Sequence, residues 1–212
     1  MSNAAKFGAG AAEQWTETAY ADPGTYLDHR AELIVSLGPR LVAGDRVLDL
    51  ACGDAGLGEF LLRRGLRYLG VDASAAMVDA AQKRLGTSAE IQLGTVDVYR
   101  PEEPVAATTL FRALYYARDR PAFFRRVADY TQKKLVFDLN PRQYGVEQIR
   151  NELEGAGFGS LQLRPFFVPQ TVSLARPLAR ALIAAERVRP LAAVLLRFRF
   201  TYVCVASRAS TR

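Results

Sequence analysis

The stretch Val47-Leu48-Asp49-Leu50-Ala51-Cys52-Gly53-Asp54-Ala55-Gly56 decides the fold of this 212-residue chain. An apolar run interrupted only by Asp49 predicts a strand over residues 46–51 that is buried on both faces, as in the centre of a parallel sheet. The small residues after it let the backbone approach a ligand closely, and the helix that follows offers free N–H groups. The stretch therefore predicts a ligand site at the end of a buried strand.

Strands and helices alternate on either side of this stretch. A first helix is predicted to begin at Pro23, with Asp22 as its N-cap, and Ser74 is predicted to cap another that runs to Leu85. The predicted strands cover residues 46–51, 67–71, 90–93, 107–114, 134–138, 160–167 and 197–207, and the other helices cover 57–64, 119–130 and 145–155. This alternation predicts an α/β fold with a doubly wound, mostly parallel sheet of seven strands.

The domain organisation follows from the segments in which strands and helices do not alternate regularly. Residues 1–22 are expected to form a flexible or helical N-terminal segment, and residues 23–212 a single domain. Residues 169–196 interpose a helical insertion before the last strand, with a helix start at Pro177 and a bend or restart at Pro190. Arg176, Arg180 and Arg187 would share one face of this helix, which could act as a lid.

Composition excludes several classes of protein. No run of eighteen apolar residues predicts a membrane span, and the N-terminus lacks the pattern of a signal peptide. The two cysteines, Cys52 and Cys204, predict reduced thiols in a cytoplasmic protein. The net charge is +6, and residues 161–212 contribute nine Arg and one Glu, or +8. That basic region could meet an anionic substrate, a membrane surface or nucleic acid, or simply be a solvated face.

Acidic residues follow three successive strands. Asp49 ends the first, Asp72 ends the second and Asp97 follows the third. Ligands bind at the carboxyl ends of strands in this architecture. Asp72 could accept both ribose hydroxyls of an adenosine, or could simply be a capping residue. The run from Ala51 to Gly56 also approximates the dinucleotide-binding fingerprint, but a carboxylate at position 49 would repel a pyrophosphate.

The run from Asp49 to Gly56 resembles the first motif of class I S-adenosylmethionine (SAM)-dependent methyltransferases, which reads acidic-x-Gly-x-Gly-x-Gly. Ala51 and Ala55 stand where that family usually has glycine. The resemblance implies a last strand that is antiparallel, an N-terminal helical lid, and SAM as co-substrate. The cofactor-binding residues that it implies are Arg30 at the SAM carboxylate, Asp49, Ala51, Gly53 and Gly56 at the first motif, Asp72, Ala73 and Met77 at the adenosine, Asp97 and Val98 at the adenine, and Arg112 beside the transferred methyl.

The acceptor side of the site is less clearly marked. His29, the only histidine, and Tyr116 are the candidates for a general base, although each could equally serve packing. Tyr115, Asn140 and Arg142 are candidates for substrate binding, and the Asn140-Pro141 pair is also typical of a plain turn. No Cys/His cluster has the spacing of a metal site, so no metal is expected.

These features predict a SAM-dependent methyltransferase that acts on a small-molecule or lipophilic acceptor, with peripheral contact to an anionic membrane surface. One alternative is a nucleic-acid (RNA) methyltransferase, which the basic C-terminal region favours and the lack of a separate RNA-binding module and of a recognisable motif for base methylation disfavours. The lack of an Asn/Asp-Pro-Pro-Tyr motif after the fourth strand counts against DNA adenine methylation. A SAM-binding protein without catalysis and an NAD(P)-dependent oxidoreductase remain further alternatives.

Overall fold

The computed structural model of the protein describes residues 9–188, 190 and 201–208. Its strands are β1 (Arg46–Leu50), β2 (Arg67–Asp72), β3 (Glu90–Leu93), β4 (Val105–Leu110), β5 (Thr131–Leu139), β6 (Phe158–Phe166) and β7 (Thr201–Arg208). Its helices are α1 (Ala9–Glu13), α2 (Trp15–Ala19), α3 (Pro23–Ser36), α4 (Gly56–Leu62), α5 (Ala75–Leu85), α6 (Arg120–Tyr130), α7 (Val146–Gly155) and α8 (Arg176–Ala185). Two 3₁₀ turns cover Gly86–Ser88 and Leu114–Tyr116.

All seven strands belong to one sheet in the order β3-β2-β1-β4-β5-β7-β6. The pairs among β3, β2, β1, β4 and β5 are parallel, and β7 runs antiparallel between β5 and β6. The predicted doubly wound sheet with an antiparallel last strand is therefore confirmed. Part of the predicted final strand, residues 197–200, lies outside the described residues.

Apolar residues cover both faces of the sheet. On one face α6 and α7 contribute Phe123, Phe124 and Leu153, and on the other α3 and α4 contribute Ile34 and Leu61. Strand β4 is buried along its whole length because it lies at the centre of these two layers. Within the ranges described, no helix has the length and hydropathy needed to cross a bilayer.

The predicted helix starts agree with the structure in position. Asp22 caps α3 by accepting a hydrogen bond from the Thr25 N–H, and Pro23 takes the first helical position. Helix α5 begins after Ser74 as predicted, but the Ser74 hydroxyl makes no capping hydrogen bond. That prediction is corrected, because the turn is held by the Asp72 carboxylate, which accepts from the Ser74 N–H at 2.9 Å.

Several boundaries differ from the predicted ones by one to three residues, and two further differences change which residues share an element. Strand β4 ends at Leu110 rather than at residue 114, because Arg112 has a φ of 55° that an extended strand does not allow. Helix α8 ends at Ala185, so Arg187 does not share a helical face with Arg176 and Arg180 as predicted. The rest of the predicted insertion beyond Val188 lies outside the described residues, apart from Pro190.

Candidate active site

In the loop after β1, three alternating residues have a left-handed backbone conformation. Ala51, Gly53 and Ala55 have φ values of 56°, 57° and 57°, which an L side chain adopts only at a cost. That cost is roughly 1–2 kcal/mol for each alanine. The loop thus keeps the conformation that glycines favour although two of its three positions carry a methyl group. Backbone strain of this kind is concentrated at functional sites.

A cleft of about 180 Å³ opens beside this loop, at the carboxyl ends of β1 and β4. We call it the cofactor cleft. It is lined by residues from α2, α3, the loop after β1 and the segment after β4. The predicted site residues that it brings together are Arg30, Asp49, Ala51, Gly53, Gly56, Arg112, Tyr115 and Tyr116.

Asp49 is a buried carboxylate whose two oxygens are both held by hydroxyl groups. Tyr68 donates to Oδ2 at 2.7 Å and Thr109 donates to Oδ1 at 2.6 Å. Burial raises the pKa of Asp49 from 3.8 to about 6, although these hydrogen bonds and Arg30 favour the charged form. A cation entering the cleft would therefore meet a carboxylate that is costly to keep ionised.

Arg30 places a buried guanidinium in the wall of the same cleft. The residue is 1% exposed, its Nη2 donates to the Tyr26 hydroxyl at 2.8 Å, and its Nε has no hydrogen-bond partner among the described residues. The Phe111 ring centroid lies 4.2 Å from its central carbon. A buried donor without an acceptor is costly, so Arg30 is suited to bind a carboxylate that enters the cleft.

The residues predicted for the adenosine lie near the cleft without lining it. Asp72 accepts hydrogen bonds from the N–H groups of Gly53 at 2.9 Å and Ser74, and burial raises its pKa. Ala73 is exposed. Met77 is buried in a small cluster with Ala12 of α1. The N-terminal helix α1 therefore packs on the surface of α5 where the adenosine was expected.

Asp97 and Val98 also lie away from the cofactor cleft. Asp97 accepts a hydrogen bond from the Arg118 N–H at 3.1 Å, and Val98 is 72% exposed. The carboxylates of Asp49, Asp72 and Asp97 stand at the carboxyl ends of adjacent strands, but only Asp49 lines the cleft.

His29 and Arg30 point to different sides of α3. The His29 Nε2 lies 2.8 Å from the Glu186 Oε2, and its ring stacks on Phe166 with centroids 5.2 Å apart. Successive residues on a helix are about 100° apart, so Arg30 faces the cleft while His29 does not. The structure therefore places His29 outside the cofactor cleft, in a buried contact with the insertion.

The acceptor side of the cleft is formed by Arg112 and two tyrosines. The Arg112 N–H donates to the Asp138 carboxylate at 2.7 Å, which stabilises its left-handed backbone. Tyr115 and Tyr116 have ring centroids 4.3 Å apart, and Tyr115 is 61% exposed. Although much of the side chain is exposed, partial desolvation of its hydroxyl and the neighbouring Tyr116 raise the pKa of Tyr115 to about 12, so it is a poor base at neutral pH.

Asn140 and Arg142 form a turn after β5. The Asn140 Oδ1 accepts a hydrogen bond from the Arg142 N–H at 3.0 Å, as in an Asx turn. Neither residue lines the cofactor cleft.

The described residues contain no cluster of three or more histidine, cysteine or acidic side chains that could hold a metal ion.

Sequence reasoning missed the contribution of α2. Trp15 lies over Gly53, where a Cβ would be 3.1 Å from the indole, and Thr16 lies over Gly56, where a Cβ would be 2.1 Å from its hydroxyl. Thr16 also binds Asp54 through its N–H and its Oγ1, at 3.0 and 2.5 Å. No sequence signal predicts the contact between Thr16 and Asp54, which are 38 residues apart.

An ion-pair network fixes this N-terminal segment. Arg84 of α5 contacts Glu17 of α2 at 3.0 Å, Asp54 of the loop at 2.7 Å and Glu59 of α4 at 3.0 Å.

Asp138, at the end of β5, was also not predicted as a site residue. A signal did exist for it, because it is a fourth acidic residue at the end of a parallel strand.

Comparison with known proteins agrees with this geometry. Residues 47–134, less than half of the chain, match a family model described as a methyltransferase domain. No curated protein matches the sequence significantly. The match covers β1 to the middle of β5 and therefore includes the loop that lines the cleft.

Several solved structures share the fold over nearly the whole chain. A TehB-like SAM-dependent methyltransferase from Corynebacterium glutamicum is 17% identical, with 94% of this chain and 97% of that chain covered and a TM-score of 0.63. The magnesium protoporphyrin IX methyltransferase from Synechocystis, solved with bound SAM, is 17% identical, with 92% and 84% covered and a TM-score of 0.62. A chain of the Haloferax volcanii complex that contains the Trm112 methyltransferase activator is 17% identical, with 95% of both chains covered and a TM-score of 0.65.

These matches confirm the predicted resemblance. Residues 47–134 resemble a methyltransferase domain, and the chain has the fold of the solved class I SAM-dependent methyltransferases that it matches. The predicted fold is thereby confirmed.

Proposed function

We propose that the protein transfers a methyl group from SAM to a small or lipophilic acceptor that enters the cofactor cleft beside Tyr115 and Tyr116. The observation that carries this proposal is the pairing of two buried, oppositely charged groups in one cleft. Asp49 and Arg30 both line it, and these two side chains do not form an ion pair with each other. An amino acid zwitterion needs one group of each sign, so this wall suits the amino-acid end of SAM.

SAM supplies a methyl group that is already activated on a sulfonium, so the protein's task is chiefly to orient and to exclude water. Asp49 would hold the ammonium end, and Arg30 would hold the carboxylate through its unpartnered donor. Arg112 and Asp138 would fix the backbone beside the reacting methyl. Tyr116 would orient the acceptor, and where the acceptor must lose a proton, the phenolate form of Tyr116 would accept it and become the neutral phenol.

The adenosine side would require movement of the N-terminal helices. Cofactor-sized ligands occupy pockets of about 300–1,000 Å³, and the cleft measures about 180 Å³. Trp15 and Thr16 cover the glycines of the loop. We therefore propose that α1 and α2 form the N-terminal lid, and that their displacement lets Asp72, Ala73 and Met77 contact the adenosine. Asp97 and Val98 would bind the adenine edge once the lid moves.

The acceptor is proposed to be lipophilic because of the insertion. Val172 and Leu178 are 54% and 52% exposed, and Arg176 and Arg180 lie beside them. Exposed apolar and basic residues together favour an anionic interface. Co-sedimentation with vesicles tests this contact, and binding that does not depend on anionic lipid would remove it from the proposal.

Free thiols at Cys52 and Cys204 suit a reducing compartment such as the cytoplasm.

Calorimetry with SAM, S-adenosylhomocysteine, NADH and NADPH tests the proposal directly. We expect micromolar binding of the first two and none of the nicotinamide cofactors. Labelled SAM is then supplied with lipid extracts, small-molecule pools and total RNA. Label in the lipid or small-molecule fraction supports the proposed acceptor class. Label in RNA would replace it, and binding of NADH or NADPH without SAM would contradict the proposal altogether.

A further inference from the structure

A second cavity of about 470 Å³ lies on the opposite side of α3, between α3, α4 and α8. We call it the outer cavity. Helix α3 separates it from the cofactor cleft, because Leu27 and Arg30 face the cleft whereas Asp28 and His29 line the outer cavity. No residue lines both. A ligand in the outer cavity therefore does not occupy the space of the cofactor cleft.

The charges around the outer cavity are predominantly positive. Four arginines line it, Arg63, Arg64, Arg176 and Arg180, against two carboxylates, Asp28 and Glu32. Two of the arginines are already engaged. Arg64 contacts Asp28 at 2.9 Å, and Arg63 contacts Glu59 at 3.2 Å.

The other two arginines are the accessible cations of the cavity. Arg176 and Arg180 are exposed and make no ion pair with any residue that the structure describes, and Arg176 lies near enough to Asp22 to lower the pKa of that carboxyl. They are four residues apart on α8, so their side chains lie on one face of the helix. Two guanidinium groups in this arrangement can both reach the oxygens of one tetrahedral anion.

The inner wall of the cavity is apolar and fixed. Phe60 of α4 and Ala179 and Ile183 of α8 line it beside the His29 ring. Glu186 joins α3 to the end of α8, because its carboxylate contacts His29 at 2.8 Å and accepts from the Phe167 N–H at 2.9 Å. The cavity thus combines an apolar surface with two unpaired cations.

We propose that the outer cavity binds a phosphate group carried on a short apolar stem. Arg176 and Arg180 bind the phosphate oxygens, and the stem packs against Phe60 and Ile183. A phosphate monoester carries a charge of about −1.5 to −2 near neutral pH, and its oxygens can accept hydrogen bonds from both guanidinium groups. The phosphate belongs either to a soluble monoester or to the headgroup of an anionic lipid, and the two sources are distinguishable by experiment.

His29 provides a direct reporter of this site. It is the only histidine in the sequence, so its imidazole signals in a nuclear magnetic resonance spectrum need no assignment by mutation. We would titrate the full chain with inorganic phosphate and with phenyl phosphate, with S-adenosylhomocysteine present to occupy the cofactor cleft. We expect a saturable shift of the His29 signals with both, and tighter binding of phenyl phosphate because its ring meets the apolar wall.

The matched variants are R176Q/R180Q and R40Q/R125Q, which remove the same charge. Arg40 and Arg125 are exposed and lie outside the cavity. We expect R176Q/R180Q to weaken phenyl phosphate binding at least tenfold, since each charge-assisted hydrogen bond contributes measurably to binding. R40Q/R125Q should bind as the unaltered chain does. A shift that does not saturate, that survives R176Q/R180Q, or that both double variants lose equally would overturn the proposal.

Vesicles identify the source of the phosphate. Phosphatidylcholine vesicles with and without phosphatidic acid, whose headgroup is a phosphate monoester, are mixed with the same three proteins, and co-sedimentation is measured. Binding that requires phosphatidic acid, Arg176 and Arg180 assigns the site to a lipid headgroup and supports the anionic interface of the proposed function. Saturable phenyl phosphate binding without vesicle binding assigns it to a soluble monoester. Neither result depends on SAM binding or methyl transfer, so methyl transfer and this site can fail separately.

Discussion

The two cavities on either side of α3 use charge in opposite ways. In the cofactor cleft, Arg30 and Asp49 are 1% and 4% exposed and are held mainly by neutral hydroxyl groups. In the outer cavity, Arg176 and Arg180 are exposed to solvent. Removing a charge from water is costly, whereas an exposed charge is screened. Substitutions in the cleft should therefore have large effects on affinity and on pH dependence, and substitutions in the outer cavity small effects on stability.

Arg30→Met should give the largest effect. We expect SAM affinity to fall about 100-fold or more, because truncating a buried charged partner costs about 2–5 kcal/mol. The free energy of unfolding should also fall, since buried Asp49 and Asp138 lose a cation that favours their charged forms. Calorimetry at a temperature where the variant is folded, together with thermal unfolding, measures the two quantities. Unchanged SAM affinity in the folded variant would show that Arg30 does not hold the carboxylate.

Asp49→Asn should change the pH dependence of the protein. The pKa of Asp49 is raised by burial from 3.8 to about 6 in the folded state. The protonated form of Asp49 therefore stabilises the folded state. This stabilisation is fully present below about pH 4 and is lost as the pH rises through 6. This loss is worth roughly 3 kcal/mol. Relative to the unaltered chain, the variant should gain about this much stability between pH 4 and pH 7, as followed by denaturant unfolding.

The same residue should make cofactor binding depend on pH. An ammonium group next to Asp49 favours the carboxylate, so binding of SAM releases a proton below pH 6. We expect affinity to fall up to tenfold per pH unit below pH 6 in the unaltered chain, and to vary much less in Asp49→Asn. Equal pH profiles for the two proteins would place the ammonium away from Asp49.

Gly56→Ala tests the contact of the N-terminal segment with the loop. The new Cβ would lie 2.1 Å from the Thr16 hydroxyl, and relieving this clash breaks the hydrogen bonds from Thr16 to Asp54. We expect a loss of about 2 kcal/mol in stability, as is usual for overpacking. Combining it with Thr16→Gly should recover part of that loss in a double-mutant cycle. Additive losses would mean that the two positions do not touch.

R176Q/R180Q should give the smallest effect. Both side chains are exposed, and the interaction of Arg176 with Asp22 is screened by solvent, so the free energy of unfolding should change by less than about 0.5 kcal/mol. Denaturant unfolding at low and high salt measures this. A loss of more than about 1 kcal/mol would show that the arginines stabilise the fold, and the contrast between the two cavities would then disappear.

Much of the fold could be predicted from the sequence because its signals are local. Strand β3 was predicted over the residues it occupies, and α3 begins at Pro23 after its Asp22 cap. The run from Val47 to Gly56 gave both the buried strand and the loop that lines the cleft. The two alanines in that run did not alter the loop path, because the surrounding structure holds Ala51 and Ala55 in the left-handed region.

The site was predicted less completely, because side-chain direction depends on packing. Asp49 and Arg30 line the cleft, whereas His29, Asn140 and Arg142 lie elsewhere. The adenosine positions Asp72, Met77 and Asp97 stay predictions, since in this conformation other parts of the chain occupy their partners or their surface. Trp15 and Thr16 could not be predicted, because their contacts join segments that are distant in sequence.

The sequence by itself determined the order of strands and helices and the acidic residues at the ends of three strands, because apolar periodicity, capping residues and turn residues act over a few positions. Only the tertiary structure decided which side of α3 each of His29 and Arg30 faces, and that α2 covers the glycines of the loop. It alone decided that Asp49 titrates near pH 6. These properties depend on which groups exclude water from one another, and that is set by contacts between distant parts of the chain.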